Sequence, residues 1–140
     1  MTRYFDLRET VLIVVGHGIL AEEEDRPVAY DLKRLVNARA NGAASRSGVV
    51  VTDVWLIGQE LGDFFPAIAV GGPDANAFTE QIYGDLPLLA ERDQEVFVQM
   101  AEVGKRAAVW GTSPRATREA VDTFVREGLL ERFLELAWRG

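Results

Sequence analysis

The sequence predicts an α/β domain with a mostly parallel sheet of four or five strands, helices on both faces making three layers, and an antiparallel hairpin at one edge. Three apolar runs carry that prediction because each stops at glycine: Val11-Leu12-Ile13-Val14-Val15 before Gly16-His17-Gly18, Ala67-Ile68-Ala69-Val70 before Gly71-Gly72-Pro73, and Ala107-Ala108-Val109-Trp110 before Gly111-Thr112. Each run gives way to residues with helical spacing, the strand–turn–helix order of α/β domains. With parallel strands, all three turns fall on one rim outside the carboxyl ends, where open α/β sheets bind their ligands.

The first strand, about 10–15, is continuously apolar, as strands covered on both faces are. Residues 16–25 read as a loop, acidic at Glu22-Glu23-Glu24-Asp25, and Pro27 places the start of a helix near Arg26. Val28, Leu32, Leu35 and Val36 form its buried stripe, and Asn41-Gly42 ends it. The second strand lies within 48–57 and ends at Asp53 or runs on to Ile57; residues 58–66 form a loop or short helical turn. After the third strand, about 67–70, Asp74 or Asn76 caps a short helix that reaches Tyr83 and stops at Gly84. Residues 85–94 connect without a pattern, and 95–101 with 105–110 form the hairpin across a short glycine-containing gap. Ser113 caps the next helix, with Pro114 at its first position and Ala120, Val121, Phe124 and Val125 as its stripe. Gly128 breaks it, and an amphipathic helix follows in which Phe133, Leu136 and Trp138 either close the core or cover a second copy of the chain.

Composition narrows the function classes. The 140 residues suit one domain spanning 1–140, with 48% apolar and 26% charged residues, both ordinary for a globular protein. No apolar run approaches the roughly 20 residues that a membrane-crossing helix needs. The acidic N-terminal stretch and its five aliphatic residues do not make a secretory signal, so a cytoplasmic location is expected. The chain contains no cysteine, which excludes disulfides, thiolate metal sites and thiol catalysis. A net charge of −7 with scattered Lys and Arg argues against nucleic acid as the partner.

Gly16-His17-Gly18, extended to Ala21, satisfies the dinucleotide fingerprint G-x-G-x-x-A, and Asp53 ends a later strand as a ribose-binding acid would. Against that reading stand the helix start about ten residues late, the 32-residue gap from Ala21 to Asp53, and four carboxylates in a row. The segment from Val11 to Gly18 also resembles the first strand end of short sirohydrochlorin-type chelatases. That resemblance implies His17 as metal-inserting base or ligand, although those enzymes follow with Ser-Arg and use a second histidine, whereas this chain has Ile19-Leu20 and one histidine in all. With so few imidazoles, a metal site would need carboxylates: a divalent ion held by His17, Asp53 and Asp74, or by the 22–25 cluster.

Val70-Gly71-Gly72-Pro73-Asp74-Ala75-Asn76, with Gly111, Thr117 and Ala120 downstream, resembles archaeal S-layer-type α/β domains over about 67–124. The resemblance implies a Rossmann-like topology and a structural or recognition role. Gly111-Thr112-Ser113-Pro114-Arg115 has the chemistry for an anion: free helix N–H groups, two hydroxyls and a guanidinium. Trp55 and Trp110, both near strand ends, could flank the same rim. Neither a phosphate-binding Gly-Lys-Ser/Thr loop nor a Gly-x-Ser-x-Gly elbow occurs.

The expectation is a non-catalytic module that needs no cofactor. It binds a small anionic or nucleotide-like ligand, or a protein partner, through Gly16, His17, Gly18, Gly71, Gly72, Asn76, Thr112, Ser113 and Arg115. The rival is a metal-assisted enzyme in which His17 is the acid–base group and Asp53 or Asp74 holds the ion.

Overall fold

A computed structural model describes residues 8–43, 46–60, 62–101 and 105–138. Its elements in chain order are β1 (Thr10–Val15), α1 (Arg26–Arg39), β2 (Ser47–Thr52), α2 (Asp53–Ile57), β3 (Ala67–Val70), α3 (Ala77–Ile82), β4 (Leu88–Arg92), β5 (Val96–Ala101), β6 (Arg106–Gly111), α4 (Pro114–Arg126) and α5 (Leu129–Ala137). The six strands form one sheet in the order β2-β1-β3-β6-β5-β4. The first four run parallel; β5 is antiparallel to both β6 and β4. From β1 the chain steps to β2 on one side and returns to β3 on the other, so the strand order reverses between β1 and β3.

Alternation along the strands sends neighbouring side chains to opposite faces. Val11, Ile13 and Val15 join Ile68, Val70 and Val109 in a cluster with the apolar stripes of α1, α4 and α5. Leu12 and Val14 join Ala67, Ala69 and Ala108 in a second cluster with Leu56 of α2 and Phe78 of α3. Full burial of each larger side chain contributes roughly 1.5–3 kcal/mol. Strands buried on both faces explain why the apolar runs are unbroken rather than alternating. Among the described residues no helix is long and apolar enough to cross a membrane.

The sheet has one strand more than the four or five expected. β4 lies in the stretch that carries no pattern, and four of its five residues are exposed, so neither face imposes an alternation that could be read. Its register with β5 also shifts between Leu88 and Ala90. The antiparallel pairing of 95–101 with 105–110 is present as β5 and β6, but β4 rather than this pair forms the edge.

The acidic stretch after β1 is helical, not a loop. Helical winding opens at Ile19 and passes through a π turn, Ala21–Asp25, directly into α1. Pro27 accounts for the irregularity: it cannot donate a hydrogen bond and its ring clashes with the carbonyl four residues back in a regular α-helix. The wider turn, in which Arg26 N donates to Ala21 O, relieves that conflict. At the other end of the chain Trp138 is buried, and its indole N donates to the Glu9 carbonyl at 2.8 Å. Trp138 and Phe133 therefore close the chain's own core, while Leu136 beside them is half-buried.

The turn after β1 admits no side chain at its first residue. A Cβ on Gly16 would lie 1.9 Å from the Ala75 carbonyl oxygen, whereas one on Gly18 meets nothing within 4 Å. Gly16→Ala should therefore destabilise the protein by about 3 kcal/mol in urea unfolding, and Gly18→Ala should stay within about 0.5 kcal/mol of wild type. Equal stability of the two variants would contradict this packing.

Candidate functional site

The carboxyl ends of β1, β3 and β6 open into one cleft of about 530 Å³. One wall is the turn after β1 and the first helical winding, His17 to Ala21 with Asp25 below. The second is Gly72, Asp74 and Ala75; the third runs from Gly111 to Pro114, with Thr117 behind it. The cleft lies beside the reversal of strand order, the usual place for a ligand in an open α/β sheet. Ile19, 81% exposed, and Leu20 give its mouth an apolar lip.

Asn76 holds the floor. Its Nδ2 donates to the Val14 carbonyl at 2.9 Å and the Val70 carbonyl at 3.0 Å, tying the ends of β1 and β3. Its Oδ1 accepts from Phe78 N and Thr79 N at 3.0 and 3.2 Å, capping α3. With 1% exposure and all four of its side-chain hydrogen bonds made internally, Asn76 stands behind the cleft and does not line it. Thr117 plays a similar part for the third turn, its hydroxyl accepting from Gly111 N at 3.0 Å.

Asp53, 1% exposed, is likewise internal. Its Oδ1 accepts from Val54 N at 2.7 Å and from His17 Nδ1 at 2.9 Å, while Oδ2 accepts from Ala77 N at 2.8 Å. Both oxygens thus serve donors at the start of α2, the start of α3 and the His17 ring. The sequence singled out both residues, and the fold pairs them across 36 positions. His17 stays 59% exposed on its side chain, held by one ring nitrogen with Nε2 left over. His17, Asp53 and Asp74 do not make a metal cage: among the described residues no group of three His, Asp or Glu is arranged to hold an ion.

Asp25, which the sequence groups with Glu22, Glu23 and Glu24 as one acidic cluster, stands apart from them in the structure. It is 6% exposed, lines the cleft, and its carboxyl accepts no hydrogen bond among the described residues. Burial, with a smaller contribution from the Glu24 charge, pushes its pKa up from 3.8 to about 6. Gly71 makes the seat: its φ is +114°, and a Cβ there would come within 2.8 Å of Asp25 Oδ2. A signal was present in the spacing, because Asp25 falls between Ala21 and Ala29 on the buried stripe that continues to Leu32 and Val36. Reading residues 16–25 as a loop cuts that stripe short.

Of the other residues expected at the site, His17, Gly18, Gly72, Thr112 and Ser113 line the cleft, and Gly16 and Gly71 form its backing. Arg115 does not line it. It is exposed, 3.8 Å from Glu119, in a separate depression with Arg92 and Glu95. Neither tryptophan flanks the cleft: Trp110 stacks on Phe97 with ring centroids 4.3 Å apart, and Trp55 lies exposed on α2. No family model and no curated protein matches the chain. The resemblances to S-layer-type domains and to short chelatases therefore rest on the quoted residues alone.

A raised carboxyl pKa destabilises the fold where the group is charged. The native state holds the Asp25 proton to about pH 6, whereas the unfolded chain releases it near 3.8. The penalty is therefore absent below about pH 4 and fully present above about pH 6. Its size is on the order of 2–3 kcal/mol. Asp25→Asn should match wild type in unfolding free energy at pH 4 and exceed it at pH 7. A variant less stable than wild type at pH 7 would contradict the assignment.

Proposed function

We propose that this chain is a non-catalytic binding module for a small molecule bearing an anionic group, nucleotides among the candidates, taken into the cleft at the ends of β1, β3 and β6. The fold that this reading implies is a three-layer, Rossmann-like domain working at its switch point. One observation carries it: three separate strand exits converge on a single cleft beside the opening turn of α4. In the first turn of α4 Pro114 has no N–H and Ala116 N is capped by Ser113, so the helix contributes the Arg115 N–H and the positive end of its dipole, about half a charge. Thr112 and Ser113 add hydroxyls on the same wall. Ser113 Oγ accepts from Ala116 N at 3.1 Å, which leaves its proton for a ligand oxygen. The apolar lip of Ile19 and Leu20 would cover the remainder of the molecule.

The His17–Asp53 pair supports a second reading, acid–base catalysis in the same cleft. A buried carboxylate that holds Nδ1 orients the imidazole and leaves Nε2 to exchange a proton. The metal-assisted form of this reading gains nothing from the donor geometry, since Asp53 has both oxygens engaged.

Thermal unfolding against phosphate, nucleoside monophosphates, small carboxylic acids and amino acids tests the binding reading. A compound present at 100 times its Kd should stabilise wild type by about 2.7 kcal/mol. Thr112→Val, at an exposed hydroxyl outside the core, should weaken that effect without lowering the unliganded melting temperature. No stabilisation by any of these compounds would overturn the reading. Turnover of a bound compound that is lost in His17→Gln would replace it with the catalytic one.

A further inference from the structure

We infer that Asp25 is the specificity-determining residue of the cleft, and that it receives a cationic nitrogen carried by the ligand. The inference rests on the binding reading above and names the chemistry of the ligand's other end.

A carboxyl group withdrawn from water without a hydrogen-bonding partner is an expensive arrangement. Asp25 approaches that condition: it is 6% exposed and unpartnered among the described residues, and its oxygens reach solvent only through the open cleft that it lines. Its seat is built for it. Asp25 closes the π turn on its buried side, four residues after Ala21, and the side-chain-free Gly71 backbone leaves room for Oδ2. Single π turns recur at functional sites because they re-aim one side chain without ending the helix.

Among the described residues no cation is paired with the group, and the imidazole that lines the same cleft, His17, is turned to Asp53. The residues lining the cleft include no Lys or Arg, and their other carboxylate is Asp74. The adjacent Arg26 is directed to Glu22, at 3.7 Å, and to the Tyr30 hydroxyl, at 3.4 Å. The partner must therefore arrive from outside, and the local charge selects its sign: an ammonium or other protonated nitrogen donates to the carboxylate and neutralises it. The upward displacement of the Asp25 pKa by burial agrees with a group whose charge is balanced only in the complex. With an anionic end at Thr112 and Ser113, the ligand that satisfies both walls is a small zwitterion of the amino-acid class. Its apolar part would lie along Ile19, Leu20 and Pro114.

The test is isothermal titration at pH 7.5 of wild type and Asp25→Asn with three sets of probes: the standard amino acids, their N-acetyl derivatives, and simple amines such as putrescine and phenethylamine. At least one amino acid should bind wild type, its N-acetyl form at least tenfold more weakly. Asp25→Asn should bind the free amino acid at least tenfold more weakly, with little change for the N-acetyl form. A simple amine that binds as tightly, and is lost in Asp25→Asn, would retain the cation at Asp25 and assign the ligand to plain amines. Equal affinity of wild type and Asp25→Asn for these compounds, or of free and N-acetylated forms, would overturn the inference. If phosphate or a nucleotide binds and no amine does, this inference fails and the binding reading stands; if no compound of either panel binds, both fail. A melting temperature for Asp25→Asn at or above that of wild type confirms that lost affinity is not lost folding.

Discussion

One buried amide decides the shape of the sheet's carboxyl rim. Where strand order reverses, the chain leaves β1 and β3 in different directions, and a carbonyl near the end of each strand faces the gap. Asn76 spans that gap with the two hydrogens of its side chain, donating to Val14 and Val70, and uses its oxygen to start α3. A buried carbonyl left without a donor costs on the order of 1–3 kcal/mol, so these bonds do more than fill space. Asp53 performs the companion task from β2, joining the start of α2, the start of α3 and His17. The two side chains assemble the rim from the interior, leaving the cleft to be lined by backbone turns, hydroxyls and one exposed imidazole.

Local departures from regular structure gather at the same place. The π turn, the positive φ of Gly71 and an unpartnered buried carboxyl all meet at Asp25. Elsewhere the elements follow ordinary rules: Ser113 and Thr52 cap helices with their hydroxyls, Gly128 turns left-handed between α4 and α5, and the core is aliphatic. Other departures, the left-handed Asn41, Asp93, Gln94 and Lys105, sit in turns between elements, whereas these three share the wall of the cleft.

What was legible in the sequence follows the same division. The three strand exits could be read because double-sided burial writes an unbroken apolar run and glycine writes the turn after it. The cap of α4 could be read because Ser113-Pro114 is local chemistry. β4 could not, since an exposed edge strand is under no demand to alternate. α1 begins at Arg26 as its proline implies, but the winding ahead of it is not legible, because proline in a first turn and proline behind a π turn leave the same trace in sequence. Read as loop, the acidic run does not separate Asp25 from its three exposed neighbours. The partnership of His17 with Asp53 depends on parallel β1 and β2 ending in register, Val15 beside Thr52, a tertiary fact that spacing alone does not carry.

The most direct test of this account is the unfolding free energy of Asn76→Asp. The replacement keeps an oxygen for the α3 cap but sets an acceptor against the Val14 and Val70 carbonyls in place of the two N–H donors. If that amide holds the ends of β1 and β3 together, urea denaturation at pH 7 should show a loss of about 3 kcal/mol or more. A variant within about 0.5 kcal/mol of wild type would mean that the rim is held by something else.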